Sequence, residues 1–221
     1  MSGGGTEIIM QILLYILSAV IPYLIGGINP AIVLSKLIYH KDIRDMGSKN
    51  PGFTNFKRVF GGRYAFLVFL FDILKSAIVC LAFGYAFSKC GLIYQVGAAY
   101  AGFFAMLGHC FPVWYKFKGG KAFLAGAAAI WCIDWRAGLV AMCIMIVLLL
   151  TVHYMSLASI CAGISCPITL AVCGVESPFV IVLCTASALL MICRHSANIK
   201  RLISGTETKF YLFGYRDGKS A

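Results

Sequence analysis

What most constrains this chain is a succession of apolar runs that leaves almost no residues for a water-facing surface. They lie at 8–39, 64–87, 92–113, 122–133, 137–152, 157–172 and 178–193 of its 221 residues. Only 12% of the chain is charged, about half the share a soluble domain carries. A membrane span takes about 20 residues, and in hydrocarbon each backbone N–H and C=O must be satisfied internally, so the runs read as helices. The expected fold is all-α, a polytopic membrane bundle forming one domain over 1–221. Pro22, Gly26, Gly27 and Pro30 should kink or unwind the first run. Several runs are short: sixteen residues, as in 137–152, reach only about 24 Å against a core of ~30 Å. Some helix ends should therefore lie below the membrane surface, against protein.

Orientation follows from where the bases sit. Of nineteen Lys and Arg residues, fifteen fall in three segments: 40–63, 115–121 and the tail from Arg194. Lys and Arg are retained on the cytoplasmic side, so these segments should share the cytoplasm. The N-terminus then lies outside and the C-terminus inside. Crossings between the second basic segment and the tail must be even in number, and four short runs fill that interval. Seven transmembrane helices result, or five where two of the runs only dip. The same reasoning assigns the net charge of +11 to topology and anionic lipid rather than to nucleic acid. The ten cysteines form no CxxC pair and lie mostly in apolar runs, where cysteine acts as a small hydrophobe; no metal or cofactor is expected. The start lacks a basic n-region, and its apolar run exceeds signal-peptide length, so no cleaved leader is expected. A monomer in the lipid bilayer is the expected state.

The three basic segments also collect the residues that carry chemistry. The first holds Ser48, Asn50, Thr54, Asn55 and Arg58; the second runs from Gly108-His109 to Lys118-Gly119-Gly120-Lys121; the third holds Arg194, His195 and Asn198, with Glu207 behind. Adjacent glycines can turn successive N–H groups into one anion-binding concavity. Gly119-Gly120 stands between two lysines, just ahead of a helix start whose dipole adds positive charge. Arg58 and Arg194 suit bidentate phosphate binding. Ser48, Asn50, Thr54, Asn55 and Asn198 supply neutral donors. His195 and Asn198, three apart, would share a helical face. Asp72 and Lys75, three apart inside a span, should pair, since charges there are costly and often functional. Any one of these loops alone reads as an ordinary topology signal, His109 alone as a packing residue. His40 to Asp45 also fits HxxxxD, a short match of two common residue types.

Taken together, the three segments resemble the bacterial acyl-phosphate:glycerol-3-phosphate acyltransferases (PlsY). The family pattern Asp-x-Arg-x-x-Gly-Ser-Gly-Asn-x-Gly-Ala-Thr-Asn matches from Asp42 to Asn55. Gly-His-x-Phe-Pro-Val with Lys-Phe-Lys-Gly-Gly-Lys-Gly matches from Gly108 to Ala122, and Arg-His-x-x-Asn-Ile-x-Arg-Leu from Arg194 to Leu202. Ser156-Leu157-Ala158-Ser159 is a further match. Lys49 stands where the pattern has glycine, Phe53 where it has alanine, and Ala122 where it has the third glycine.

The resemblance implies an enzyme of phospholipid synthesis in the bacterial cell membrane, with its site at the cytoplasmic face. It implies transfer of a fatty acyl group from acyl phosphate to glycerol-3-phosphate, giving lysophosphatidate and phosphate, without a cofactor. Ser48, Ser159, His195 and Asn198 are the expected catalytic residues. Arg58, Lys118, Gly119, Gly120, Lys121 and Arg194 are expected to bind phosphate, supported by Asn50, Thr54, Asn55, His109 and Glu207. Two alternatives share these features: a transporter of a phosphorylated small molecule, and an acyltransferase paralogue with a different donor or acceptor. Against the transporter, the polar groups gather at one face rather than near the midplane.

Overall fold

The computed structural model describes residues 3–211, and these are helical throughout, joined by turns and loops. Ten α-helices follow in order: α1 Gly3–Gly27, α2 Pro30–Tyr39, α3 Phe53–Phe60, α4 Ala65–Lys89, α5 Tyr94–Cys110, α6 Phe123–Ile133, α7 Trp135–Thr151, α8 Met155–Cys173, α9 Pro178–Arg194 and α10 Ser196–Ile203. Their ends fall within about two residues of most of the apolar runs. Arg216 and Lys219, counted in the basic tail, lie outside the described residues.

The first apolar run breaks where proline and a capping side chain coincide. α1 continues through Pro22 to Gly27. The chain then extends at Asn29, whose side chain accepts from the Ile32 N–H at 3.0 Å. Pro30 opens α2, a position where its missing N–H costs nothing. Asn29 also donates to the Pro51 carbonyl at 3.0 Å, pinning the first basic segment to the start of α2. That segment is not all loop. It contains α3, which turns Asn55 and Phe56 inward and leaves Arg58 exposed.

The bundle packs closely where small residues permit. A Cβ on Gly26 would collide with the Ala105 backbone, and one on Gly108 with the Tyr23 backbone, so α1 and α5 meet through their glycines. α6 and α7 form a tight hairpin at Asp134, which accepts from the N–H groups of Arg136 and Ala137 and pairs with the Arg136 guanidinium at 2.7 Å. Large apolar side chains such as Ile8, Ile9, Leu13, Ile78, Leu81, Val147 and Leu150 remain exposed. That is the surface expected of a body solvated by lipid.

Four helical segments are long and apolar enough to cross a bilayer, and five when α9 and α10, bent by 60°, count as one. The eleven residues of α6 extend only about 16 Å. Helix length therefore supports the smaller of the two expected counts rather than seven independent spans. α6 buries Ala125, Ala128, Ala129, Ile130 and Ile133 against protein.

Candidate active site

A cavity of about 970 Å³ runs through the bundle. Its polar end is lined by Ser48, Asn50, Thr54, Arg58, Lys121, Ser156, Ser159, His195, Asn198, Arg201 and Glu207. From there it follows α6 along its length, between Ile73 and Ala77 of α4, Gly102 and Phe103 of α5, Met142 and Met145 of α7, and Ala162 and Cys166 of α8. The far end is reached at Ala99, Ile133, Gly138 and Cys184. The groove thus runs beside the eleven residues of α6, a length of about 16 Å.

The polar end is organised around Glu207. Its Oε1 accepts from Ser156 Oγ at 2.7 Å and from Asn198 Nδ2 at 2.6 Å, and its Oε2 accepts from Arg201 Nε at 2.7 Å. The other end of the Asn198 amide accepts from Lys121 Nζ. Burial disfavours the charged carboxyl, but the donors from Asn198, Ser156 and Arg201 outweigh it and hold Glu207 below its ordinary range. Lys121 is moved the other way. Burial lowers it to about 8, Glu207 opposes, and the cations Arg201, Arg194 and Arg58 add to the depression.

His195 is the hinge residue between α9 and α10. Its Nδ1 lies 2.8 Å from the Met191 carbonyl, so Nδ1 carries the proton and Nε2 keeps its lone pair. His195 ends α9 and caps α10, its carbonyl accepting from the Ile199 N–H at 2.9 Å, and Asn198 stands in the first turn that follows; both line the cavity.

The Lys-Gly-Gly-Lys segment corrects an expectation. Gly119 and Gly120 do not offer free N–H groups: they donate to the carbonyls of Cys110 and His109, at 3.2 and 3.0 Å. Their own carbonyls accept from Arg194, Gly120 from Nε at 3.0 Å and Gly119 from Nη2 at 2.9 Å. Gly119, Gly120 and Arg194 thus form a folded turn with its guanidinium clamp rather than an anion nest, and glycine is required there for close approach. A Cβ on Gly119 would strike the His109 carbonyl oxygen, and one on Gly120 the His109 ring. Lys118 is exposed and outside the cavity lining. Lys121 is the residue this turn delivers to the cavity.

Beneath the turn lies the pair expected in α4. Lys75 Nζ is 2.8 Å from Asp72 Oδ1 and 3.0 Å from His109 Nδ1, and it donates to the Ile28 carbonyl at 2.8 Å. Asp72 Oδ1 lies 3.4 Å from His109 Nδ1. His109 thereby links an intramembrane ion pair to the floor of the Gly119–Gly120 turn.

In the first segment Asn55 acts as an organiser. Its Oδ1 accepts from the Ser48 N–H at 2.9 Å and its Nδ2 donates to the Met46 carbonyl at 3.0 Å. This folds the loop so that Ser48, Asn50, Thr54 and Arg58 line one wall. The opening N–H groups of α3 lack helical partners and add positive potential at the same wall. Ser159 bonds back to the Met155 carbonyl at 2.7 Å on the opposite wall. Arg201 and Ser156 were not expected as site residues. The signal for both was present, since each stands inside a segment already singled out.

Fold and site together define a multi-pass membrane protein whose cation-rich polar chamber opens into an apolar groove. A family model described as glycerol-3-phosphate acyltransferase matches residues 16–205. The glycerol-3-phosphate acyltransferase of Thermoanaerobacter pseudethanolicus is 37% identical over 194 residues, 88% of this chain and 94% of that one. The crystal structure of PlsY, an integral membrane glycerol 3-phosphate acyltransferase, superposes in its glycerol 3-phosphate form with a TM-score of 0.81 at 32% identity, covering 89% of this chain and 95% of that one. Its lysophosphatidic acid form gives 0.77 at 32% identity, covering 90% and 94%. The chain belongs to the glycerol-3-phosphate acyltransferase family, of the PlsY type.

Proposed function

We propose that this protein transfers a fatty acyl group from acyl phosphate to a hydroxyl of glycerol-3-phosphate at the cytoplasmic face of the bacterial cell membrane, releasing lysophosphatidate and phosphate. The observation that carries the reading is the union of two environments in one cavity. Lys121, Arg58 and Arg201 line the end that suits phosphate, and the groove beyond suits an acyl tail. The bias of Lys and Arg supports an N-terminus outside, a C-terminus inside and an odd number of crossings.

An acyl phosphate is a mixed anhydride that carries its own leaving group. The acceptor hydroxyl oxygen attacks the acyl carbon, the bond from that carbon to the phosphate oxygen breaks, and phosphate departs. The proton is taken by the departing phosphate. His195 Nε2, with its lone pair free, serves as a hydrogen-bond acceptor for the hydroxyl. Two anions must be held together, and Lys121, Arg58 and Arg201 offset their repulsion. Orientation of such a pair supplies roughly 7–11 kcal/mol in favourable cases. Ser48 and Asn198 supply neutral donors to the acceptor and the developing oxyanion, Ser159, its O–H on the Met155 carbonyl, offers an acceptor oxygen, and Asn50, Thr54, Asn55 and Glu207 hold the walls in place.

The test is lysophosphatidate formation by purified protein from radiolabelled glycerol-3-phosphate and palmitoyl phosphate, with Lys121→Ala and His195→Ala in parallel. Turnover with the acyl phosphate, none with acyl-CoA, and loss in both variants supports the reading. Turnover only with acyl-CoA assigns a different donor. No turnover by folded protein with either donor moves the question to uptake of phosphorylated compounds into vesicles.

A further inference from the structure

One aromatic side chain lines the cavity next to its polar wall and packs toward both sides of the bundle. Phe53 opens α3, directly after the wall that carries Ser48 and Asn50 and directly before Thr54, and it lines the cavity. Its ring meets Phe69 of α4 edge-on, with centroids 5.7 Å apart. Phe53 packs against two separate apolar clusters. One gathers Ile32, Ile43, Phe56 and Val68 around α2, α3 and α4. The other gathers Leu149, Ala158 and Phe210 from α7, α8 and the chain after α10. Among the described residues Phe53 is the side chain common to both. The facing cluster is itself tied down: Phe210 N–H donates to the His153 carbonyl at 2.6 Å, and Lys57 Nζ lies 5.2 Å from the Phe210 ring centre. The α4 and α7 walls of the cavity are thus bridged by one aromatic ring, next in the chain to the polar Thr54.

We infer that Phe53 is a specificity-determining residue for the acyl donor, selecting against branching or bulk at the carbons next to the carbonyl. This rests on the acyl-transfer reading above. On this inference a donor with its phosphate among Lys121, Arg58 and Arg201 and its tail along α6 passes its first methylenes against the Phe53 ring, which lines the same cavity. The far end of the tail, near Ile133 and Gly138, lies beyond its reach. Phe53 therefore reads substitution close to the reacting carbon and is blind to chain length. The position is also one where this chain departs from the small residue of the motif quoted above. One methyl group accommodated or refused by an apolar wall changes relative rates by about 10–200-fold.

The experiment compares kcat/KM for palmitoyl phosphate, its 2-methyl analogue and myristoyl phosphate in the native protein, Phe53→Ala and Phe53→Leu. The expected result is a rise of at least about tenfold in the ratio of branched to straight donor in Phe53→Ala, a smaller rise in Phe53→Leu, and an unchanged ratio of palmitoyl to myristoyl. Phe53→Leu keeps an apolar bridge and carries the test alone should the alanine variant not fold. An unchanged branched-to-straight ratio overturns the inference, as does a change in the length ratio. Failure of the native protein to use any acyl phosphate overturns it together with the donor assignment, which separates that outcome from a native enzyme that works but whose preference Phe53 does not set.

Discussion

Lys121 reaches the cavity with its ammonium on Asn198, whose amide in turn donates to Glu207 at 2.6 Å. One amide thus relays a carboxylate to a buried cation. Because Lys121 is lowered to about 8, it is charged below that pH and neutral above it. On the proposed role, kcat/KM for glycerol-3-phosphate should fall above about pH 8. Glu207→Gln removes the group that favours the charged lysine, so the fall should begin at lower pH. Lys121→Arg, which stays protonated, should turn over more slowly but without that alkaline limb. Steady-state pH profiles check all three.

Arg194 clamps the two glycine carbonyls, and its removal should act through the turn. Arg194→Lys replaces the planar fork on both carbonyls with a single ammonium and should lose about 1–3 kcal/mol of stability, with kcat reduced more than KM is raised. Thermal unfolding in detergent beside steady-state kinetics decides it. A raised KM with unchanged stability would place the guanidinium on substrate instead.

Asp72 and Lys75 are both nearly inaccessible, with side chains 2% and 9% exposed. Asp72→Ala leaves a cation in the bundle without its counterion, and the expected cost is about 3–5 kcal/mol. Asp72→Ala with Lys75→Met should recover much of that. Yield of monodisperse protein and melting temperature are the readouts.

Ala122 has φ +58° and Lys49 φ +60°, a left-handed conformation that costs an L-residue about 1–2 kcal/mol. Glycine avoids the strain but gives back part of the gain through a looser unfolded chain. Ala122→Gly and Lys49→Gly should each stabilise by about 0.5–1 kcal/mol, read as a raised melting temperature. Ala122→Val should destabilise.

The same two residues show what the sequence disclosed. Both occupy positions where the resembled motif has glycine, so the backbone kept its left-handed turns while the side chains changed. Local patterns were legible in this sense: apolar runs gave the helices, the Asp72–Lys75 spacing gave the ion pair, and three polar segments gave most of the walls of one cavity. Direction was less legible. Spacing does not say whether Arg194 faces a ligand or a carbonyl, and an adjacent glycine pair serves close packing as readily as anion binding. Lys118 and Lys121 differ by a turn that faces one outward and the other inward. Arg201 and Ser156 were visible as letters, but their roles depend on Glu207 folding back from beyond α10. Run lengths left seven or five crossings open, and the short apolar α6 and α7 are where the two counts differ.

That short helix has a consequence for the membrane as a whole. On the proposed function, a groove that follows α6, a helix too short to cross the hydrocarbon core, loaded from one face, releases each new lipid on the side where its tail lay. Synthesis then adds area to a single sheet of the bilayer. Growth would be lopsided from the first turnover, and evening out the two sheets becomes a separate task for other machinery.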